Sequence, residues 1–359
     1  MRRLILICLF TLVTLLIPAA VHAQSAILLD AIVTDVKHTQ PTKEQAAAGM
    51  SGTVVTFRIE SGKLKGKLYK SDIDISRPSS GGYRAGDRVL VSYDKNPQGT
   101  EVVYIVDYER KRQLLLIFFL FLAVVFVIGR WQGLYSFIGM VFSFIIIIRM
   151  IIPNIMIGND PVLISLLGSL FIIPVTFYLA HGINKKTTVA IVGTFISLML
   201  TAGLAYVFIE FARLTGFAAE EAAFLQAAKG SVINIKNLLL AGIIIGALGV
   251  LDDITISQTS VVSELNNANP KYTFRQLYKS SMAIGRDHIA SLVNTLVLVY
   301  TGASLPLFLL FYNTNLPYSQ VVSQEIIASE IIRTLVSSIG IVAAVPITTF
   351  LACMYTKKR

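Results

Sequence analysis

The chain has 359 residues, 54% of them hydrophobic and 14% charged. Soluble domains carry about 25% charged residues, so this is the composition of a membrane protein whose first partner is the lipid bilayer. The net charge of +10 is uneven: residues 24–109 hold 11 basic and 11 acidic groups, residues 110–359 hold 18 and 10. A basic excess beside apolar runs is a topology signal, and the lack of basic stretches with interleaved aromatics argues against nucleic acid.

Residues 1–23 read as a signal peptide. Arg2 and Arg3 precede the apolar run Leu4 to Ile17, Pro18 breaks it, and Val21, His22 and Ala23 form a small-x-small cleavage site. An uncleaved first membrane helix is the other reading, and both place residue 24 onward outside the cytoplasm. Cys8 and Cys353 each sit in an apolar run, which excludes a disulfide framework and a cysteine metal site.

Residues 24–109 form the expected extracytoplasmic β-rich domain. Five alternating stretches, AILLDAIVTDV, TVVTFRIES, KLYKSDIDIS, DRVLVSYD and EVVYIVDYE, predict five short strands of a small antiparallel, OB-like barrel. Residues 41–52 read as a long loop. A neutral outer barrel fits a docking or gating module for a protein partner, or a plain structural cap.

Residues 110–359 form the expected transmembrane domain, giving an α-helical polytopic membrane protein of about seven helices. The predicted spans are 114–129, 134–157, 161–180, 187–211, 237–262, 287–311 and 326–354. Seven crossings after an exported domain leave the C-terminus in the cytoplasm, and the basic loop residues Lys185, Lys186, Lys271, Arg275, Lys279 and Lys357 then fall inside. Arg149 reads as a snorkelling side chain, Glu210 and Arg213 as an interfacial pair, and 218–235 as a surface helix.

Two polar stripes interrupt this pattern. On a helix, Gly242, Gly246, Gly249, Asp253, Ser257, Ser260 and Glu264 fall within about 80° of one another. Asp287, Ser291, Asn294 and Thr301 repeat the spacing in the next span. The glycines predict close approach of a neighbouring helix. Asp252 and Asp253 lie about 22 Å into their span, in its inner third, where adjacent carboxylates need a proton, a base or a cation. The other reading ends that helix at Leu251 and leaves both in water. Gly285, Arg286, Asp287 and His288 open the sixth span at the same depth, with Arg286 as a partner for Asp253. Asn294 and Thr295 can bond across or ligate a cation; His288 is a proton acceptor or a solvated side chain.

GALGVLDDITISQTSVVSEL, LYKSSMAIGRDHIASLVNTLVLVYTGASLPL and IASEIIRTLVSSIGIVAAVPITT resemble the YibE/YibF-like family of bacterial multi-pass membrane proteins. The resemblance covers about residues 110–356, and the N-terminal region more loosely. It carries over no catalytic residue. It implies that Asp252 holds the family position, with an apolar residue in the family where Asp253 stands.

Three functions remain open. A permease would use Asp252, Asp287 and Asn294 to relay a proton or coordinate a cation between broken helices. A non-catalytic scaffold or sensor would dock a partner on the outer domain. An intramembrane aspartyl protease would pair one aspartate from each helix, although its Gly-x-Gly-Asp signature is missing. No soluble-enzyme motif stands out, so the chain is read as a non-enzyme, with substrate, metal and cofactor unassigned.

Overall fold

The computed structural model describes residues 27–38, 50–74, 82–95, 101–218, 220–229, 232–312 and 316–357. The signal-peptide reading, and most of the loop predicted at 41–52, lie outside them. The chain divides into two compact units, parting between Val127 and Ile128.

The N-terminal unit holds one antiparallel sheet of β1 (Ile27–His38), β2 (Met50–Ile59), β3 (Leu68–Asp74), β4 (Arg88–Lys95) and β5 (Glu101–Tyr108). The strand order is β3-β2-β1-β4-β5, and the sheet curls until its edge strands β3 and β5 touch. Alternation explains the core: Leu29, Ala31 and Val33 face Val55, Phe57, Ile59, Val89, Val91, Val103 and Ile105, all buried. Register shifts accompany the curling, among them one between Val33 and Asp35 against β2 and one between Leu90 and Val91 against β5. The turn into β4 is set by Gly86, whose φ of +97° favours glycine; Asp87 Oδ2 accepts from the Arg84 amide at 2.7 Å.

Helix α1 (Lys111–Ile146) begins directly after the sheet and is broken at Arg130, which has φ 48° and ψ −139°. It continues through a π-helical turn, Ile147–Ile151, into α2 (Ile152–Met156). Pro153 has no amide hydrogen for the carbonyl of exposed Arg149, and a widened turn is one way a helix absorbs that loss.

The second unit is built on α3 (Pro161–His181), α4 (Lys185–Phe211), α6 (Ile235–Ala268), α7 (Phe274–Ala303) and α10 (Glu325–Lys357). Shorter helices α5 (Glu220–Lys229), α8 (Leu305–Tyr312) and α9 (Tyr318–Val322) connect them. Counting Lys111–Met156 as one stretch, the described residues hold six helices long and apolar enough to cross a membrane.

Helices α4, α6 and α10 pack against one another, with α3 on α6 and α7 on α10. Their contact faces are small and hydroxylic. Gly193 meets Thr348, and Gly340 meets Thr201. Lipid gives helices no hydrophobic reason to associate, so close backbone approach must supply the packing. The buried hydroxyls mostly bond within their own helices: Ser169 to the Ser165 carbonyl at 2.8 Å, Thr194 to Ala190 at 2.9 Å, Thr201 to Ser197 at 2.8 Å.

Several expectations are corrected. Helix α6 runs unbroken to Ala268, so the reading that ended it at Leu251 fails. Helix α7 begins at Phe274, not near Asp287, because Thr273 and Gln276 form a capping box there. Gly285, Arg286, Asp287 and His288 are therefore mid-helix. The sixth span stops at Ala303, and Pro306 sits in the first turn of α8, where its missing donor is harmless. Glu210 pairs with Lys236, not with Arg213; Arg213 turns the chain just past α4 with φ +54°.

Candidate functional site

Asp252 lies halfway along α6 and is half-buried. Its Oδ2 is 3.5 Å from the Thr176 hydroxyl of α3, and its Oδ1 is buried with no hydrogen-bond partner among the described residues. Thr176 is five residues from the end of α3, about 8 Å along the helix, and the carboxylate lies between α3 and α6 with its Oδ1 buried. The Thr176 hydroxyl is also 2.9 Å from the Ile172 carbonyl. A hydroxyl has one hydrogen, and the shorter contact to Ile172 leaves little for the carboxylate. On the other side of Thr176 is Gly139 of α1, where an added Cβ would lie 3.3 Å from the threonine Cα. Glycine there is what lets α1 come close.

Next to this group, Thr255 and Thr194 join α6 to α4 with their hydroxyls 2.7 Å apart. One turn further, the Gln258 amide donates to the Ser281 carbonyl at 3.1 Å and to Thr349 Oγ1 at 2.7 Å, tying α6, α7 and α10 together. Gly285 makes room for this contact, since an added Cβ would come within 3.1 Å of both Gln258 terminal atoms. Thr176 and Gln258 were missed by the sequence reading. Gln258 carried a usable signal, an amide in an apolar span, which must find a partner.

The other predicted residues are placed differently. Asp253 is exposed and Ser257 partly so. On α7, Arg286, Asp287, Ser291, Asn294, Thr295 and Thr301 are exposed and His288 is half-buried. No ion pair joins Arg286 to Asp253 among the described residues, and Asp252 faces α3 instead of α7. The glycine stripe does not carry close packing as expected: Gly242 and Gly249 have open space where a side chain would be, and Gly246 has only the Tyr300 hydroxyl at 3.7 Å. The two polar stripes therefore do not close on each other within one chain. Among the described residues no group of three or more His, Cys, Asp or Glu side chains could hold a metal ion.

A bundle of long apolar helices with a hydroxyl-lined interior, following a small curled sheet, defines a polytopic α-helical membrane protein. The model of the YibE/F-like protein family matches residues 117–358. The chain belongs to that family. No curated protein and no solved structure matches it.

Proposed function

We propose that the protein is a permease in which Asp252 carries a proton or a cation through the membrane domain. One observation carries this reading: a carboxylate between α3 and α6 whose Oδ1 is buried without a partner among the described residues. An ionised carboxylate in that setting is costly, and a proton or a bound cation removes the cost. Thr176 is then the first neighbour along the path. Asp253 and Ser257 lie on the adjoining face of α6, and Asp287, His288, Ser291, Asn294, Thr295 and Thr301, with Arg286, form a second polar surface on α7.

Seven crossings follow if the break at Arg130 separates two spans, since 46 residues of continuous helix would reach about 69 Å against a hydrocarbon core of about 30 Å. Residues 24–109 would then be extracytoplasmic behind a cleaved signal, and the C-terminus cytoplasmic. Strand order and the meeting of β3 with β5 support a partly open OB-like barrel. Cysteine labelling from either side at positions 130 and 357 tests this; both should react only from the cytoplasm.

The test of transport is proton or cation flux into proteoliposomes. Flux in the parent and its loss in Asp252→Asn are expected. No flux in the parent, or unchanged flux in the variant, overturns the permease reading.

A second reading is favoured by the exposed polar residues of α7. Asp287, Asn294 and Thr295, on a face left exposed within one chain, would be covered better by another polar helix, as in a scaffold or sensor. Crosslinking from α7 to a stoichiometric partner, in the absence of flux, is its signature. The aspartyl-protease reading gains nothing from the geometry, because Asp252 contacts Thr176 while Asp287 is exposed on another helix.

A further inference from the structure

A second feature lies where the N-terminal end of α4 meets the C-terminal ends of α6 and α10. There a cavity of about 380 Å³ is lined by Lys185 and Lys186 of α4, Ser263, Asn266 and Asn267 of α6, and Tyr355 of α10. No carboxylate among the described residues lines it. Among the described residues neither lysine makes an ion pair, while nearby Lys357 is engaged with the Pro270 carbonyl at 3.0 Å. The start of α4 adds the positive end of its helix dipole to the two ammonium groups.

A second, apolar groove of about 540 Å³ adjoins the cavity. Lys185, Val189 and Tyr355 line both. From there the groove follows α4 through Val189 to Val192 and α10 back through Met354 to Leu351. The seven helical steps of α4 from Lys185 to Val192 span about 10 Å. The arrangement is therefore ordered along the helix axes: cations and amides at the helix ends, aliphatic wall below them.

We propose that this composite site binds an anionic phospholipid, with its headgroup phosphate on Lys185 and Lys186 and an acyl chain along Val189, Val192, Leu351 and Met354. A soluble anion would use the lysines alone and leave the groove idle. A zwitterionic lipid would use the groove but bring its own cation beside the phosphate, so it would offset the charge of the two lysines poorly. Only an anionic amphiphile satisfies both halves, and basic pockets between membrane helices recognise such headgroups. The inference does not depend on transport by Asp252.

The experiment is native mass spectrometry of the delipidated full-length protein, titrated with phosphatidylglycerol, phosphatidylcholine or inorganic phosphate. A tighter adduct with phosphatidylglycerol than with phosphatidylcholine is expected, undisplaced by millimolar phosphate. The Lys185→Gln/Lys186→Gln variant should weaken it about thirtyfold, from roughly 1 kcal/mol per basic group. Val192→Trp, which fills the groove, should weaken phosphatidylglycerol binding as well; Met354→Phe is the alternative if that variant does not fold. Equal retention of both lipids, or unchanged binding in the double lysine variant, overturns the proposal. Displacement by phosphate with no effect of the groove variants also overturns it, in favour of a soluble anion.

Discussion

Gly340 of α10 and Thr201 of α4 are in such close contact that a β-carbon at Gly340 would overlap the Thr201 hydroxyl oxygen and lie 3.0 Å from its Cβ. Both residues are buried, and the threonine hydroxyl is tied to its own helix through the Ser197 carbonyl. The obstacle cannot simply rotate away. Gly340→Ala should therefore destabilise the protein by about 1–3 kcal/mol, the usual range for overpacking. Thr201→Ala removes the nearer atom and should restore part of the loss in the double variant. Thermal denaturation in detergent of the four proteins forms the cycle, and additive losses would show that the two positions do not meet.

Gln258 makes the opposite kind of contribution, polar instead of steric. Its amide bridges Ser281 and Thr349, yet Thr349 also bonds the Val345 carbonyl at 2.7 Å. Replacing Gln258 by Leu keeps the volume and leaves Thr349 satisfied. Interhelical hydrogen bonds in membranes contribute about 0.6 kcal/mol on average. Gln258→Leu should thus cost less than Gly340→Ala in the same denaturation assay. A larger cost would mean that the polar bridge joining α6, α7 and α10 contributes more to stability than the close approach of α10 to α4.

These two contacts show what was and was not legible in the sequence. The five strands were readable to within about three residues at either end, because alternation depends only on the chain and on which face is buried. The helix ends of α7 were not, since a hydropathy window follows lipid contact and ignores the polar turn from Phe274 to Arg286. The capping box at Thr273 and Gln276 was a local sign that could have placed it. The small residues of α6 were read as the packing face, but Gly242 and Gly249 face open space, and the close approaches fall at Gly193 and Gly340 instead. Periodicity names the residues that share a face; it does not say which neighbour, if any, covers it. Asp252 was legible as a polar group in an apolar span. That it faces Thr176 rather than α7 depends on helix rotation, which neither spacing nor composition specifies.

Another contact with a clear outcome ties the loop after α4 to the start of α10. The Glu325 carboxylate accepts from the Thr215 and Gly216 amides, each at 2.7 Å, and from the Thr215 hydroxyl. Gly216 has φ +86°, and an added Cβ would lie 2.7 Å from the Ile235 carbonyl oxygen. Backbone cannot yield as a flexible side chain does, so Gly216→Ala should lower the melting temperature more than Glu325→Gln, which keeps an acceptor oxygen. Equal melting of Gly216→Ala and the parent would show that the loop relaxes freely.

Between the sheet and α1, Asp107 accepts from Arg110 Nη1 and from the Tyr108 amide, both at 2.7 Å. The guanidinium first, and the amide second, hold the Asp107 carboxyl below its ordinary value of 3.8, and Arg110 is correspondingly raised. The sign follows from linkage. In the unfolded chain Asp107 takes up its proton at higher pH than in the folded protein, so acid favours unfolding through this group. Its stabilising contribution is complete above the ordinary value and is lost as pH falls through the lower folded value. Both side chains are exposed, so the effect on stability is small and screened by salt. A carbon-detected titration of the carboxyl is the sharper measurement. Its midpoint should lie below 3.8 in the parent and rise in Arg110→Gln, part of the depression remaining because the Tyr108 amide is still in place. A midpoint unmoved by the substitution would mean that the contact does not persist in solution.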